Sequence, residues 1–367
     1  MRRKLLKNLD WGVLVCIAVL IGVGMFALFS TSQNTNHNEF FKQLQWIAIS
    51  IPFFVAFILI DYDKILKIAP VLYGACIFLL ILVLFTHEIN GARSWFNIGS
   101  FSFQPSEFGK IATILFIAYS LNLLQAKSRK EINKIYKLLL VLLIAFVPIG
   151  LIVIEPDLGT ATAYIFATVF ILFVSGINKR YIFSAIIIIA ALIPLIYMNL
   201  PAHALARIDV FMHPESDPRG AGYNIIQSRL AIGAGQIFGM GFLQGNQTQL
   251  GYLHPKTTDF IFSAIGEEMG FIVAAGLIIT YVILITRVVY IAKTAKDNIG
   301  SYIAIGIAGI LCFHMIENIG MTMGLLPITG VPLPFVSYGG SSLLTNFICI
   351  GLVLNVSARR QKAIFVE

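Results

Sequence analysis

Residues 257–270 read Thr-Thr-Asp-Phe-Ile-Phe-Ser-Ala-Ile-Gly-Glu-Glu-Met-Gly, and they join the longest polar segment of the chain to a long apolar run. The stretch holds three carboxylates, Asp259, Glu267 and Glu268. A charge at the centre of a bilayer costs about 2.5–3.5 kcal/mol or more unless it faces a cavity or a partner. If the apolar run crosses a membrane, these acids therefore predict a functional site.

The composition indicates that this apolar run crosses a membrane. Of the 367 residues, 58% are hydrophobic and 12% are charged, and that charged fraction is about half the value for soluble domains. Runs of roughly 20 apolar residues, the length of a bilayer-spanning helix, recur from end to end. We expect a polytopic membrane protein that forms one domain over residues 1–367. The net charge of +8 could suit nucleic acid, but the cations flank apolar spans, so no nucleic-acid partner is expected.

The apolar pattern predicts an all-α fold of about ten transmembrane helices. A long outer loop, residues 199–257, separates spans seven and eight, and its piece 223–237 has the spacing of a short interfacial or re-entrant helix. The four cysteines lie inside apolar runs and are predicted to be buried thiols. The predicted spans are about 11–31, 44–61, 65–86, 106–124, 136–154, 157–176, 180–198, 258–286, 301–325 and 335–356.

The distribution of Lys and Arg orients these spans. Alternating sides place 19 of the 26 cations on the side of the N-terminus, in segments 1–10, 61–67, 125–137, 177–180, 287–297 and 357–367. The positive-inside rule then makes both termini cytoplasmic. The outer face is left as the place for polar chemistry.

Three spans that enter from the outer face carry an acid near their first turn: Glu107, Asp157 and Asp259. An acid at a helix N-terminus is ordinary capping chemistry, worth about 0.3–1 kcal/mol. Two nearby cations favour a binding site over simple capping: Lys110 follows Glu107 by one turn, and Arg93 precedes it. Three helix N-termini that converge with these cations would form an anion site suited to phosphate.

Other polar pairs are predicted to be structural. On a continuous helix Glu267 and Glu268 would lie about 12 Å from Asp259, and only one of them could share its face, so a catalytic dyad is not expected. His314 and Glu317 are one turn apart, and without a third ligand nearby an interhelical hydrogen bond is favoured over a metal.

Four motifs together resemble the SEDS family (shape, elongation, division and sporulation) over nearly the whole chain. They are Trp95 followed by Phe-Gln-Pro-Ser-Glu at 103–107 with Lys110, Glu-Pro-Asp-Leu-Gly-Thr-Ala at 155–161, Thr-Asp-Phe-Ile-Phe at 258–262 with Gly-Glu-Glu at 266–268, and Pro-Leu-Pro-Phe-Val-Ser-Tyr-Gly-Gly-Ser-Ser at 332–342. The short tails and the Asn-Ile-Gly-Met at 318–321 resemble the elongation member of that family more than the division member.

The resemblance implies a glycosyltransferase of the bacterial cytoplasmic membrane that polymerises lipid II at the outer face. It implies a class B penicillin-binding protein and elongation-complex membrane proteins as partners, with membrane lipid around the helices, and a divalent cation, Mg²⁺ or Mn²⁺, whose ligands the sequence does not identify. By this resemblance the essential acid would be Asp259, with further site residues at Lys110, Glu107, Trp95 and Asp157. Arg93 and Ser337 are further candidates for binding substrate.

Two departures from the family pattern lie in the long loop. The family often has Pro-Glu-x-His before Thr-Asp-Phe, where this chain has His-Pro-Lys-Thr at 254–257. It also often has Gly-Lys-Gly where this chain reads Gly-Met-Gly at 239–241. The loop therefore lacks an acid and a cation that the family often has there.

A mechanism follows from these residues. Asp259, with an ordinary pKa of about 3.9, would be the general base of a single inverting displacement, and burial would raise its basicity. Lys110, helped by Arg93 or a metal ion, would stabilise the leaving diphosphate; Glu107 and Asp157 would orient Lys110 or hold the metal. Trp95 would shape the sugar or lipid entry, although a membrane-interface anchor is the ordinary role of such a residue. A flippase or transporter of lipid-linked precursors, and a scaffold that only anchors a partner enzyme, are the alternative functions.

Overall fold

The computed structural model of the chain describes residues 8–87, 93–98, 101–198, 205, 209–217 and 220–360. Its elements are α1 (Trp11–Thr31), α2 (Asn38–Leu59), α3 (Tyr62–Lys67), α4 (Ala69–Val83), β1 (Phe96–Ile98), β2 (Phe101–Phe103), α5 (Pro105–Leu124), α6 (Ile135–Ile154), α7 (Leu158–Val174), α8 (Lys179–Met198), α9 (Ala221–Ala234), α10 (Asn246–Gln249), α11 (Ile261–Lys293), α12 (Asn298–Thr322) and α13 (Gly340–Arg359). Several segments lie outside the described ranges, among them the basic residues of 2–7 and at 362, the loop residues 88–92, and Arg207 and Arg219.

Each predicted span coincides with a helix. In the described part of the chain, seven helices are long and apolar enough to cross a membrane, namely α1, α2, α5, α6, α11, α12 and α13. The shorter apolar helices α4 and α7 and helix α8 occupy the other three predicted positions. Short 3₁₀ turns and the two-stranded hairpin β1–β2 are the additions that the hydropathy pattern did not predict.

Local capping explains where several helices begin. The side chains of Asp10, Asp157 and Asp297 accept hydrogen bonds from backbone N–H groups in the first turns of α1, α7 and α12. Helix α5 begins at Pro105, whose missing N–H costs nothing at a first helical position. The acids at 157 and 297 thus have a capping role whatever else they do.

The centre of the bundle is formed by α12 and α13. In their most apolar stretches, 78% of α12 and 89% of α13 is buried, against 11% of the outlying α2. Helix α12 packs on α7, α11 and α5, and α13 packs on α2. Polar side chains on α12 are therefore enclosed by protein instead of lipid, where they need partners.

The contacts at one end of the bundle agree with the predicted alternation of sides. The Tyr62 hydroxyl donates to Asp297 at 2.8 Å, and Arg359 pairs with Asp61 at 3.3 Å. On the same side Gln125 donates to the carbonyl of Ser175 at 2.8 Å. Residues 61–62, 297 and 359, from three segments that the charge count placed in the cytoplasm, thus meet one another, and residue 125 of a fourth meets the C-terminal end of α7.

The long loop between α8 and α11 packs on the bundle through α9, close to the predicted piece 223–237. The Ser228 hydroxyl lies 2.6 Å from that of Ser263 on α11 and donates to the carbonyl of Thr322 at 2.6 Å. Arg229 donates to the carbonyl of Gly324 at 2.8 Å, just beyond the C-terminus of α12. The loop is therefore anchored to α11 and to the C-terminal end of α12.

The start of span eight differs from the prediction at the residue that matters most for the site. Span eight was expected to begin at residue 258, but α11 begins at Ile261, so Asp259 precedes the helix. The reason is that the carbonyls of residues 257–259 are taken by tertiary donors: the N–H of Tyr338 at 2.9 Å, the Ser337 hydroxyl at 2.7 Å and the Asn318 amide at 3.0 Å. These carbonyls do not enter the helical hydrogen-bond ladder.

Helix α11 is also broken at Gly270, whose φ of 76° and ψ of −177° are not helical. Loop residues 236–241 bond to the backbone exposed by the break: Met240 N–H donates to the carbonyl of Glu267 at 2.8 Å, and Phe271 N–H donates to that of Gln236 at 2.9 Å. The comparison of helix faces between Asp259 and the two glutamates assumed one continuous helix, and it does not apply because Asp259 precedes α11. The short piece 261–269 is a separate unit.

Candidate active site

The outer end of α5 carries a buried ion pair. Lys110 Nζ lies 2.8 Å from Glu107 Oε1, and both residues are only 3% exposed. Glu107 Oε2 has no hydrogen-bond partner within the described residues. A buried charge pair with an unused carboxylate oxygen is costly unless a further group binds there. Glu107 and Lys110, one turn apart on α5, thus form an ion pair within the helix.

Lys110 has a second partner on α12. Its Nζ lies 3.2 Å from Nε2 of His314, which is 2% exposed. The other ring nitrogen of His314 lies 3.0 Å from the carbonyl oxygen of Pro332. The interhelical role expected for this histidine is therefore observed, but its connection to Lys110 was not foreseen.

Asp157 lies at the start of α7 beside this pair. Its Oδ1 accepts from the N–H of Thr160 at 3.0 Å, and its Oδ2 accepts from the amide of Gln104 at 3.1 Å. Burial raises the pKa of Asp157, which the hydrogen bond from Thr160 opposes. Asp157 thus fastens the start of α5 to the start of α7, and its role in orienting Lys110 is indirect.

Glu155 is an acid that the sequence reasoning quoted only as part of a motif. It is 1% exposed, and neither of its carboxylate oxygens has a hydrogen-bond partner within the described residues. Burial, and then the charge of Asp157, raises its pKa to about 8. The nearby Ser94 hydroxyl opposes this shift only weakly, since no hydrogen bond of normal geometry joins the two.

The backbone around Asp259 is hydrogen-bonded to α12 and to the segment 327–339, here called the proline loop. The three carbonyl contacts given above fix residues 257–259, and the Asp259 Oδ2 atom lies beside Gly330, where a Cβ would be 3.4 Å away. Burial raises the pKa of the Asp259 carboxyl, while the Thr258 hydroxyl and His254 lower it. Asp259 is half-buried, and a carboxylate of raised basicity on a fixed backbone is suited to accept a proton.

The proline loop joins the two halves of the site. Its Pro332 carbonyl contacts His314, the partner of Lys110, and its Gly330 lies beside Asp259. At the start of α7, a Cβ on Gly159 would lie 2.4 Å from Val331 of the same loop. The proline loop thus contacts Asp259 and the start of α7 directly, and it is connected to Glu107 only through His314 and Lys110.

The sequence profile described as "Cell cycle protein", which covers FtsW, RodA and SpoVE, matches residues 9–362. The chain belongs to this family. Peptidoglycan glycosyltransferase MrdB of Escherichia coli is 36% identical over 95% of this chain and 93% of the relative. Peptidoglycan glycosyltransferase RodA of Treponema pallidum is 30% identical over 98% and 100%, and stage V sporulation protein E of Bacillus subtilis is 34% identical over 95% and 96%.

Solved structures of similar proteins have the same fold. A chain of a peptidoglycan synthase complex, from work on the structural coordination of polymerization and crosslinking, superposes with a TM-score of 0.83 at 29% identity, covering 95% of this chain and 97% of that chain. RodA of Thermus thermophilus gives a TM-score of 0.72 at 27% identity, covering 96% and 98%. The predicted membership of the FtsW/RodA/SpoVE family, and the helical membrane fold that it implied, are confirmed.

The two glutamates of the Gly-Glu-Glu motif in this family member support the loop before Asp259. Glu267 accepts from the backbone N–H of Gln247 at 2.7 Å, from the N–H of Thr248 at 2.9 Å and from the Thr248 hydroxyl at 2.6 Å. Glu268 accepts from the hydroxyl of Ser30 at 2.7 Å. The structural role expected for the pair is observed, since both are buried and bonded to protein.

The remaining predicted site residues have less defined places. Arg93 is exposed and Trp95 is half-buried, next to the hairpin β1–β2 that stacks Phe103 on Phe108 of α5 at 5.1 Å. The Ser337 hydroxyl accepts from the N–H of Leu333 at 2.8 Å and donates to the carbonyl of Thr258, so the geometry favours a supporting role. Substrate contact by any of these residues stays a prediction.

Sequence reasoning did not assign four polar residues to the site: Gln104, Glu155, His314 and Asn318. Gln104 and Asn318 are amides without distinctive spacing, and their roles depend on which segments meet in space. His314 offered a signal, because an ionisable residue within a span needs a partner. Glu155 offered the same signal, at the junction of α6 and α7.

Proposed function

We propose that this chain is a peptidoglycan glycosyltransferase that polymerises lipid II at the outer face of the bacterial cytoplasmic membrane during cell elongation. The observation that carries the proposal is the buried pair of Lys110 and Glu107 fastened, through the proline loop, to Asp259 in a chain that matches named peptidoglycan glycosyltransferases over nearly all of its length. The elongation role is supported by MrdB and RodA among the relatives and RodA among the solved structures.

In this mechanism Asp259 accepts the proton of the acceptor sugar hydroxyl. Its raised pKa makes it a stronger base than a solvated aspartate. The hydroxyl oxygen attacks the anomeric carbon of the donor, and the bond from that carbon to the diphosphate oxygen breaks. One carboxylate is enough for a single inverting displacement, because the second carboxylate of a retaining path is a nucleophile.

The leaving diphosphate is stabilised by Lys110. An ammonium group fixed at a buried position is worth more to a developing anion than the same charge in water. Glu107 orients it at 2.8 Å, while Arg93, exposed at the entrance, attracts the anionic substrate. Trp95 borders the sugar or lipid entry.

A divalent cation, Mg²⁺ or Mn²⁺, is part of the proposal. No group of three or more His, Cys, Asp or Glu side chains in the described residues could hold a metal by itself. Mg²⁺ sites are often completed by substrate phosphates and water around one or two carboxylates, and the unused Glu107 Oε2 fits such a donor. When bound there, the cation would neutralise charge on the diphosphate.

We further propose that a class B penicillin-binding protein cross-links the product beside this chain, with other elongation-complex membrane proteins. The support is the likeness to a chain of a peptidoglycan synthase complex that coordinates polymerization and crosslinking. Co-purification of the chain with and without such a transpeptidase would measure the association.

The experiment is polymerisation by the purified chain in detergent, given lipid II and Mg²⁺ or Mn²⁺. We expect glycan polymer from the wild type and from Asp209→Asn, a matched change at an exposed outer residue, and none from Asp259→Asn or Asp259→Ala at equal protein yield. Polymer cannot come from transport, so it separates the enzyme from a flippase of lipid-linked precursors. Polymer made by Asp259→Ala would refute the base assignment.

A further inference from the structure

His314 connects α12 to the cation of α5 and to the proline loop. Its Nε2 lies 3.2 Å from Lys110 Nζ, and its Nδ1 lies 3.0 Å from the Pro332 carbonyl oxygen. The ring is 2% exposed, so water does not replace either contact. Both nitrogens of a buried imidazole are thus occupied by specific partners.

These two partners determine which nitrogen of the ring carries the proton. A carbonyl oxygen can only accept, so Nδ1 must be the N–H donor towards Pro332. An ammonium group can only donate, so Nε2 must present its lone pair to Lys110. The arrangement therefore requires the neutral ring in one tautomer, and a second N–H at Nε2 would face the ammonium with like charge.

Lys110 is left with one unassigned donor. A lysine ammonium has three N–H groups, and the described contacts use one for Glu107 Oε1 and one for His314 Nε2. Two fixed acceptors define the direction of the third N–H much better than Glu107 alone would. If Lys110 binds the leaving diphosphate, that third N–H is the one that binds it.

We propose that His314 is a positioning residue that fixes the Lys110 ammonium for an anionic leaving group. The inference rests on the proposed function for the nature of that group, and on the two measured contacts for the positioning. Asn318, one turn further along α12, donates to the carbonyls of Asp259 at 3.0 Å and Val331 at 2.8 Å. One face of α12 thus sets both the cation and the segment that carries the base.

Three substitutions separate the two contacts of the ring. His314→Gln places an amide oxygen near the position of Nε2 and keeps an acceptor for Lys110. His314→Asn places its amide near the position of Nδ1, so it keeps a donor for Pro332 but cannot reach Lys110. His314→Leu removes both. If the ring served only to hold the proline loop, His314→Asn would preserve function and His314→Gln would be the weaker replacement.

The test compares the wild type and the three variants in detergent, by polymerisation of lipid II and by binding of undecaprenyl diphosphate as the anionic probe. We expect His314→Gln to stay within about threefold of the wild type, while His314→Asn and His314→Leu lose about 10- to 100-fold in kcat, as expected for a misplaced catalytic group. The change in kcat should exceed that in KM, because the anion develops in the transition state. Probe affinity should follow the same order.

Each outcome decides between the possibilities. If His314→Asn matches the wild type, or if His314→Gln and His314→Asn lose activity equally, His314 does not act by positioning Lys110. Equal loss points to proton transfer by the imidazole itself. Equal probe affinity in all four proteins would also overturn the inference, while an active wild type would leave the proposed function intact. If the wild type makes no polymer but the four proteins bind the probe in the expected order of affinity, the proposed function is rejected and His314 remains a positioning residue.

Discussion

Replacing Gly270 with alanine should disrupt the break in α11 that supports the outer site. At φ 76° and ψ −177° the backbone of residue 270 is in a region open essentially to glycine alone. A Cβ there would lie 2.2 Å from the backbone nitrogen of Gly239 and 2.5 Å from the carbonyl carbon of Phe238. Both atoms belong to backbone, so no side-chain rotation relieves the clash.

The cost can be assembled from three contributions. Placing a Cβ at this conformation costs about 1–3 kcal/mol. Moving loop residues 236–241 away loses backbone hydrogen bonds such as Met240 N–H to the Glu267 carbonyl at 2.8 Å and Phe271 N–H to the Gln236 carbonyl at 2.9 Å, at about 0.5–1.5 kcal/mol each. The sum is about 2–6 kcal/mol, which is large for a single substitution.

The same helix offers a matched control. Gly276 also lies in α11, and a Cβ there would meet no atom within 4 Å. Gly276→Ala should therefore be neutral, or stabilising by up to about 1 kcal/mol, because alanine favours a helix interior. Thermal unfolding of both variants in detergent should show Gly270→Ala melting at least several degrees below the wild type. Equal melting temperatures for the two variants would show that Gly270 is not a conformational requirement.

Three further changes test the acids. Glu155→Gln should raise stability at neutral pH. The pKa of Glu155 is about 8 in the folded state against an ordinary 4.5, so between these pH values the folded state keeps a proton that the unfolded state loses. The stability of the wild type therefore falls as pH rises from 4.5 to 8. The loss is about 3 kcal/mol at pH 7. The melting-temperature difference between Glu155→Gln and the wild type should thus be small near pH 5 and grow towards pH 8, and a constant difference would contradict the burial argument. Because burial raises the pKa of Asp259, polymerisation should fall on acidification at a pH above the ordinary value for aspartate, whereas a rate that is flat down to pH 4 would exclude it as the base. Glu267→Gln should destabilise by about 2–4 kcal/mol, since it weakens charge-assisted bonds to residues 247 and 248, while the exposed Glu215→Gln should leave the melting temperature unchanged.

The order of helices was predictable because hydropathy and charge are local properties. Apolar runs located the helices to within a few residues in most cases, and the Lys and Arg count grouped segments whose side chains do meet, such as Tyr62 with Asp297. The pairing of Glu107 with Lys110 was predictable for the same reason, since one turn of helix separates them. Motif resemblance then supplied the family.

The site was less predictable where it depends on contacts between distant segments. Nothing local to residues 257–259 shows that their carbonyls bond to Asn318, Ser337 and Tyr338, and this alone moves the start of α11 past Asp259. The break at Gly270 is likewise stabilised by loop residues 236–241, about 30 positions earlier in the chain. A 3.6-residue period cannot reveal either feature, because both replace helical hydrogen bonds with tertiary ones.

The proline loop explains why buried polar residues are found on the central helices. Proline has no N–H, and a segment with three prolines between residues 327 and 334 cannot form a ladder of its own, so its buried carbonyls need outside donors. These donors come from the surrounding helices: Asn318 to Val331, His314 to Pro332 and Tyr281 to Pro334. Held by these hydrogen bonds, the loop contacts Asp259 directly and is connected to Lys110 through His314. The separation between Asp259 and Lys110 is therefore determined by hydrogen bonds to the backbone of this loop, which tolerate less change than two side chains on independent helices would.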